Sequence, residues 1–151
     1  MPTSYVKRIL DAQIYDLVVR TPIDEAPQLS LRLGNRVLLK REDLQPIFSF
    51  KLRGAYNKML SLGKAELAKG VIAASAGNHA QGLAMAAQKI GAKATIVMPT
   101  TTPQIKVNAV KALGAKVILQ GDSYDEASDY AQRLVVEKEM TYIHPFDDPE
   151  V

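Results

Sequence analysis

From Gly70 to the end of the chain, short apolar runs alternate with longer segments whose apolar residues recur at helical spacing. The runs at 71–74, 94–98, 117–119 and 141–143 predict strands, and the segments between them predict helices. Strand starts recur about every 23 residues, which is the length of one strand plus one crossover helix. We therefore predict an α/β fold with a mainly parallel sheet flanked by helices.

Several residues at the ends of these segments favour the start or the end of a helix. Thr102 can cap a helix that has Pro103 at its first position. Ser123 and Glu126 have the spacing of a capping box, in which each side chain bonds a free backbone N–H group of the other. Gly91 predicts the end of the alanine-rich helix that follows the first of these strands.

The first third of the chain is less regular. Ser4 can cap a short helix with a weak apolar stripe. The alternating Leu29, Leu31 and Leu33 fit either a strand or a short helical turn, and 37–39 fits a strand better. This part of the chain gives no clear repeat of the strand and helix unit.

The composition is that of a folded chain in water, with 47% hydrophobic and 23% charged residues among 151. The absence of cysteine excludes disulfides and thiolate metal sites and suits a reducing cytoplasm. No apolar stretch approaches the length of a membrane span. The net charge of +3 is spread among acids with no basic and aromatic run, so we expect neither a nucleic-acid nor a membrane partner.

Lys51 is the first residue with potential chemistry. Ser49 can cap a helix running to about Leu62, which puts Lys51 in its first turn. A lysine is nucleophilic only as the neutral amine, and lysine has an ordinary pKa of about 10.4. The positive end of the helix dipole and the apolar neighbours Phe50 and Leu52 would favour the neutral amine. From these residues alone, a solvated surface lysine remains the commoner alternative.

A second candidate segment, Ser75-Ala76-Gly77-Asn78-His79-Ala80-Gln81-Gly82, lies between a predicted strand and its helix. Small residues let a ligand approach the backbone, and N–H groups at a helix start attract an anion such as a carboxylate. Loops at the carboxyl ends of parallel strands are where open α/β sheets bind ligands. The segment lacks the features of a P-loop and of a dinucleotide fingerprint, so nucleotide binding is disfavoured.

Two other kinds of chemistry are disfavoured by the same residues. Ser75 and His79 stand four positions apart, but the sequence around Ser75 does not match a nucleophile elbow, which argues against serine hydrolysis. His79 and His144 are the only histidines, and without cysteine we predict no metal site.

Two motifs together resemble the pyridoxal phosphate enzymes of the tryptophan synthase β type. One is Lys40-Arg41-Glu42-Asp43-Leu44-Gln45-Pro46 followed by Phe48-Ser49-Phe50-Lys51-Leu52-Arg53-Gly54-Ala55-Tyr56, and the other is the segment from Ser75 to Gly82. The residues of these motifs and their order along the chain are similar to those of the biosynthetic threonine dehydratases, also called threonine ammonia-lyases. The resemblance runs from about Ile14 to the end and implies the amino-terminal part of the fold type II architecture.

This resemblance implies a function and a site. The expected reaction is the deamination of L-threonine to 2-oxobutanoate and ammonia, the first step toward isoleucine, and L-serine is the other candidate substrate. Lys51 would hold pyridoxal 5'-phosphate covalently and remove the substrate α proton. Phe50 would pack on the cofactor ring, and Asn78 would bond the ring hydroxyl oxygen. The substrate carboxylate is expected on four residues of the second motif: Ser75, Gly77, Asn78 and His79.

The resemblance also implies a division of the chain. Residues 1–47 are expected to pack on a larger domain that mostly follows residue 151, and residues 48–151 to form a smaller α/β domain. The family's glycine-rich phosphate loop and the serine facing the pyridine nitrogen do not occur in this sequence. We therefore expect a fragment with an uncovered apolar surface, and a homo-oligomer when complete. The alternatives are a serine dehydratase, serine racemase or threonine synthase activity, or a catalytically incomplete α/β binding module.

Overall fold

The computed structural model describes residues 4–151, and the first three residues of the predicted 1–47 segment lie outside this range. The strands are β1 (Ile23–Glu25), β2 (Leu38–Lys40), β3 (Val71–Ala74), β4 (Ala94–Met98), β5 (Lys116–Leu119) and β6 (Thr141–Tyr142). The helices are α1 (Tyr5–Asp11), α2 (Pro27–Leu33), α3 (Lys51–Ser61), α4 (Lys64–Lys69), α5 (Asn78–Ile90), α6 (Gln104–Ala112) and α7 (Tyr124–Lys138). A single 3₁₀ turn spans Glu42–Leu44.

Strands β3 to β6 form one parallel sheet in the order β5-β4-β3-β6, which confirms the predicted architecture. Both central strands are buried along their whole length. Successive side chains of a strand point to opposite faces. Val71 and Ala73 therefore enter one apolar cluster, and Ile72 and Ala74 enter the other. Because helices cover both faces, these strands read in the sequence as continuous apolar runs.

The order of the strands reverses between β3 and β6. The chain passes from β3 outward to β4 and β5, and α7 then returns it to the other side of β3, where β6 pairs in parallel. The carboxyl ends of β3 and β6 are therefore neighbours. Helix α5, which follows β3, and helix α7, which precedes β6, lie on opposite faces of the sheet. Such a reversal of strand order is where open α/β sheets usually bind ligands.

The four sheet strands and their helices agree with the sequence prediction, with two corrections at helix starts. Thr102 does not cap α6, because the extended Pro103 takes the cap position and leaves Thr102 one residue outside it. Ser123 caps α7 as predicted, accepting a hydrogen bond from the backbone N–H of Glu126. The Glu126 carboxylate, however, accepts from the backbone N–H of Asp122 at 2.8 Å, so the capping box closes one residue early.

Residues 4–50 form a looser layer, called the first layer below. The stretch with alternating leucines is helix α2, ending at Gly34 in the left-handed conformation that glycine adopts without strain. Strand β1, which the sequence did not predict, pairs antiparallel with β2. Three side chains of this layer, Ile14, Val18 and Ile47, join the main core. No helix among residues 4–151 is long and apolar enough to cross a membrane.

Candidate active site

Lys51 is the first residue of α3, as the sequence predicts. The residue directly before the helix, Phe50, already has right-handed helical backbone angles and makes no side-chain capping bond. The Ser49 hydroxyl accepts a hydrogen bond from the backbone N–H of Lys51 at 3.3 Å. Ser49 therefore makes the kind of capping bond that the sequence predicts at this helix start.

The amine of Lys51 lies in a small half-buried pocket. Its Nζ donates a hydrogen bond to the backbone oxygen of Pro145 at 2.6 Å and lies 5.3 Å from the centre of the Phe50 ring. The pocket has a volume of about 280 Å³, and Phe146 also lines it. The Phe50 and Phe146 rings are largely exposed. The lysine thus has an apolar, aromatic surrounding on one side and a carbonyl acceptor on the other.

The second motif lies where the sequence predicts it, between β3 and α5. The Ser75 hydroxyl accepts a hydrogen bond from the backbone N–H of Gly77 at 3.2 Å, and Asn78 is the exposed first residue of α5. The first N–H groups of a helix have no acceptor within the helix. This helix start can therefore bind an anion at the carboxyl end of β3.

His79 behaves differently from its neighbours in this motif. Its side chain is only 3% exposed, and its Nε2 donates to the backbone oxygen of Ile143 at 2.9 Å, since a carbonyl oxygen can only accept. Burial lowers the pKa of His79 to about 4, so the imidazole is neutral at pH 7. Nδ1 has no hydrogen-bond partner within residues 4–151. The imidazole is therefore bonded to the residue that follows β6, and the group that His79 presents at the start of α5 is its backbone N–H.

The two motifs are held together by the segment that follows β6. Ile143 accepts from His79 of the second motif, and Pro145, two residues later, accepts from Lys51 of the first. The parallel pairing of β3 and β6 brings this segment beside the Ser75 loop. No local sequence signal pointed to Pro145 as a lysine partner. The only available signal was the recurrence of strands, which places successive carboxyl ends at one edge of the sheet.

Gly82 forms a second link between the motifs. A Cβ atom added at Gly82 would lie 3.1 Å from the backbone oxygen of Lys51 and 3.3 Å from the backbone nitrogen of Leu52. Helix α5 therefore approaches the start of α3 so closely that a side chain at position 82 would crowd the backbone of α3. The sequence suggested that the small residues of this motif admit a ligand, but at Gly82 the close neighbour is the backbone of Lys51.

The pocket suits part of the cofactor that the resemblance implies. A primary amine beside exposed aromatic rings is what an aromatic aldehyde requires for covalent attachment and stacking. Asn78 is exposed at the start of α5, beyond the carboxyl end of β3. Within residues 4–151, no group of three or more His, Cys, Asp or Glu side chains could hold a metal ion.

Comparison with known proteins gives one family and a consistent set of relatives. The family model described as "Pyridoxal-phosphate dependent enzyme" matches residues 14–151. The chain is 58% identical to threonine dehydratase 1, biosynthetic, chloroplastic, from Solanum lycopersicum over 148 residues. That match covers 98% of this chain and 24% of the relative. It is 55% identical to the biosynthetic L-threonine dehydratase of Burkholderia multivorans, covering 98% of this chain and 30% of that protein.

Solved structures agree with these relatives. The processed form of threonine deaminase isoform 2 from Solanum lycopersicum is 54% identical, with a TM-score of 0.92 over 97% of this chain and 40% of that chain. Serine racemase from Dictyostelium discoideum is 33% identical, with a TM-score of 0.87 over 96% of this chain and 48% of that chain. The chain thus spans about a quarter to a third of the curated relatives described above.

Proposed function

The chain belongs to the family of pyridoxal-phosphate dependent enzymes, and from this membership we propose that it carries part of the active site of a threonine dehydratase. The reaction is the deamination of L-threonine to 2-oxobutanoate and ammonia, in the biosynthesis of isoleucine. The observation that carries the proposal is the meeting of both motifs at the segment after β6, through the contacts of Lys51 and His79. The identities of 55% and 58% to biosynthetic threonine dehydratases support it.

Lys51 is the proposed attachment point of pyridoxal 5'-phosphate, with the Phe50 ring packed on the cofactor and Asn78 bonded to its ring hydroxyl. When bound, the cofactor supplies an electron sink for the negative charge left when the substrate α proton is removed. The Lys51 amine removes that proton as a neutral base. To do so, the amine must first break the 2.6 Å hydrogen bond that it donates to the Pro145 oxygen in this structure.

The substrate carboxylate is proposed to bind at the start of α5, on Ser75, Gly77, Asn78 and His79. Backbone N–H groups and the positive end of the helix dipole favour an anion there. His79 contributes its backbone N–H and not its imidazole, because the imidazole is buried and bonded to Ile143. The loop is thus expected to recognise a carboxylate without a charged side chain.

Two related activities are the alternatives to threonine deamination. Serine dehydratases and serine racemases act on a smaller substrate, and the serine racemase of Dictyostelium discoideum is 33% identical to this chain, against 58% for a threonine dehydratase. A single methyl group changes pocket discrimination by only about 1 kcal/mol. Preference between L-threonine and L-serine is therefore a matter for measurement.

Residues 1–47 are proposed to pack on a larger domain of the complete protein, with residues 48–151 as the smaller domain. Apolar side chains of the first layer support this, since Leu31 is 87% exposed, Leu10 77% and Ile9 70%. We also propose that the complete protein assembles from several copies and works in a reducing compartment such as the cytoplasm.

The exposed apolar side chains of the first layer can be tested with an apolar dye. We expect this chain to bind such a dye strongly. A compact monomer with no excess dye binding would contradict the uncovered surface.

The test of the activity uses the complete gene product that contains this chain. Incubation with L-threonine should release 2-oxobutanoate and ammonia, and Lys51→Ala should abolish this release. The matched control is Lys64→Ala, which removes an exposed lysine at the start of α4. Turnover that survives in Lys51→Ala would remove Lys51 from its role as base. Formation of D-serine from L-serine, together with no release of 2-oxobutanoate from L-threonine, would favour a racemase.

A further inference from the structure

The start of helix α3 carries positive charge that no residue of its own first turn balances. Its first turn carries two cations, Lys51 and Arg53, at the end where the helix dipole is positive. Among the residues described, that turn contains no acidic side chain, and the Ser49 hydroxyl that bonds the Lys51 N–H is uncharged. An uncompensated start of this kind would fray, and the Lys51 amine would move with it.

The missing negative charge comes from Glu42 in the 3₁₀ turn. Its carboxylate accepts two hydrogen bonds from the Arg53 guanidinium, from Nε at 2.8 Å to Oε2 and from a terminal nitrogen at 2.8 Å to Oε1. The side chains of Arg53 and Glu42 are only 24% and 16% exposed. This two-pronged geometry is stronger and more directional than an exposed ion pair.

The Glu42 carboxylate is itself held by further donors. The Thr21 hydroxyl donates to it at 2.5 Å, and the Gln45 amide donates at 3.2 Å. Gln45 is 1% exposed, and its amide also bonds the backbone N–H and C=O of Val19. The Arg53 hydrogen bonds above all lower the pKa of Glu42 to about 2, so the carboxylate stays ionised in neutral solution. The start of α3 is thus fastened to two separate segments of the first layer.

We propose that Glu42 and Arg53 form a positioning pair that fixes the first turn of α3 and so determines where the Lys51 amine lies. Arg53 also lines the Lys51 pocket, but no hydrogen bond described joins the pair to the Lys51 amine or to the Pro145 oxygen, and the pair acts through the helix backbone. This inference rests on the proposed role of Lys51, but its physical content concerns the position of the amine and can be tested without the cofactor.

The test measures the reactivity of single lysines by competitive acylation of this chain. A trace amount of acetic anhydride is added across a range of pH, and mass spectrometry gives the extent of labelling at Lys51 relative to the exposed Lys64. In the unmodified chain, Lys51 should be labelled several-fold more slowly, because its amine is half-buried and held on Pro145. In Glu42→Gln the two lysines should be labelled at similar rates, since the released amine reaches solvent.

The matched control is Asp148→Asn. Asp148 pairs with Lys58 at 2.8 Å in the last turn of the same helix, and the two side chains are 15% and 20% exposed. Asp148→Asn should lower the melting temperature by an amount similar to Glu42→Gln but leave the Lys51 to Lys64 ratio unchanged. An unchanged ratio in Glu42→Gln, or an equal change in both variants, would overturn the proposal.

A milder variant covers the case in which Glu42→Gln does not fold. Thr21→Val removes one donor to the Glu42 carboxylate and keeps its pairing with Arg53. It should shift the labelling ratio in the same direction by a smaller amount, and a folded Thr21→Val chain with an unchanged ratio would count against the pair. Borohydride trapping of pyridoxal phosphate on the same chains separates the two claims. Trapping absent from Lys51 in every chain counts against the proposed function, whereas the acylation ratios still decide the positioning pair.

Discussion

The parallel sheet and the first layer, residues 4–50, bury their apolar side chains to very different extents. In β3 and β4 every residue is buried between helices on both faces. In α1 and α2, among the residues described, no side chain is buried, although both helices carry several leucines, isoleucines or valines. The sheet therefore forms a core that is complete within this chain, whereas the first layer presents apolar surface to solvent.

Lys51 lies at the boundary between these two regions, and this position explains how it is held. Gly82 of α5 and Pro145 after β6 contact it from the sheet side. Glu42, through Arg53, fastens its helix from the side of the first layer. The lysine therefore depends on both regions, even though only one of them has a complete core.

The largest expected effect is in the sheet. Ile96→Ala removes a fully buried side chain from the middle of β4 and leaves a cavity that the packed neighbours cannot fill. We expect a loss of about 2–5 kcal/mol in the free energy of unfolding, measured by urea titration. A loss below about 1 kcal/mol would mean that the sheet is not the rigid region described here.

The second effect concerns the contact between α5 and α3. Gly82→Val would push a side chain against the backbone of Lys51 and Leu52, and we expect a destabilisation of up to about 3 kcal/mol. In Gly82→Val, the extent of Lys51 labelling by acetic anhydride should also differ from that in the unmodified chain. Gly77→Ala is the matched control for stability, because nothing lies within 4 Å of a Cβ atom at Gly77 and its φ of −129° suits any residue. Equal unfolding free energies of the two variants would contradict the close approach.

The third effect is a dependence of stability on pH through Glu42. Its pKa is lowered from 4.5 to about 2 in the folded chain, so the unfolded chain binds more protons between these values. The stability that Glu42 contributes is fully present above about pH 4.5 and is lost as the pH falls toward 2. Glu42→Gln should cost about 1.5 kcal/mol at pH 7, and the difference from the unmodified chain should shrink on acidification. A difference that stays constant from pH 7 to pH 2.5 would contradict this assignment.

The smallest effect is expected in the first layer. Leu31→Ser changes a side chain that is 87% exposed on α2, and we expect a change of less than about 0.5 kcal/mol in the unfolding free energy of this chain. The same variant should lower dye binding, because it removes part of the uncovered apolar surface. A loss comparable to that of Ile96→Ala would show that α2 is packed in solution, and the contrast between the regions would fail.

The sequence predicted the sheet well because each strand and helix there is defined by its own residues. Val71–Ala74 is apolar throughout, and the Ser123 cap lies directly before α7. It predicted the first layer poorly, since Leu29, Leu31 and Leu33 fit two periods equally well when no buried face selects one.

The candidate site divides in the same way. Lys51 at a helix start and the loop from Ser75 to Asn78 could be located from local residues and a family resemblance. The Pro145 contact, the close approach at Gly82 and the Glu42 carboxylate could not, because each joins residues far apart in the chain. Such contacts depend on strand order and helix packing, which no short segment encodes.

The central claim is that Lys51 is the lysine that holds pyridoxal phosphate. The most direct measurement is to mix this chain with pyridoxal phosphate, reduce with borohydride and map the modified lysines by mass spectrometry, with Lys51→Ala as the control. The account predicts label concentrated on Lys51 and lost in the control, because the adduct with the aldehyde forms at equilibrium and the Phe50 ring beside this amine can stack on the cofactor. The Pro145 contact slows the access of a reagent to the amine but does not prevent this equilibrium. Label that is absent, or spread evenly over many lysines, would contradict it.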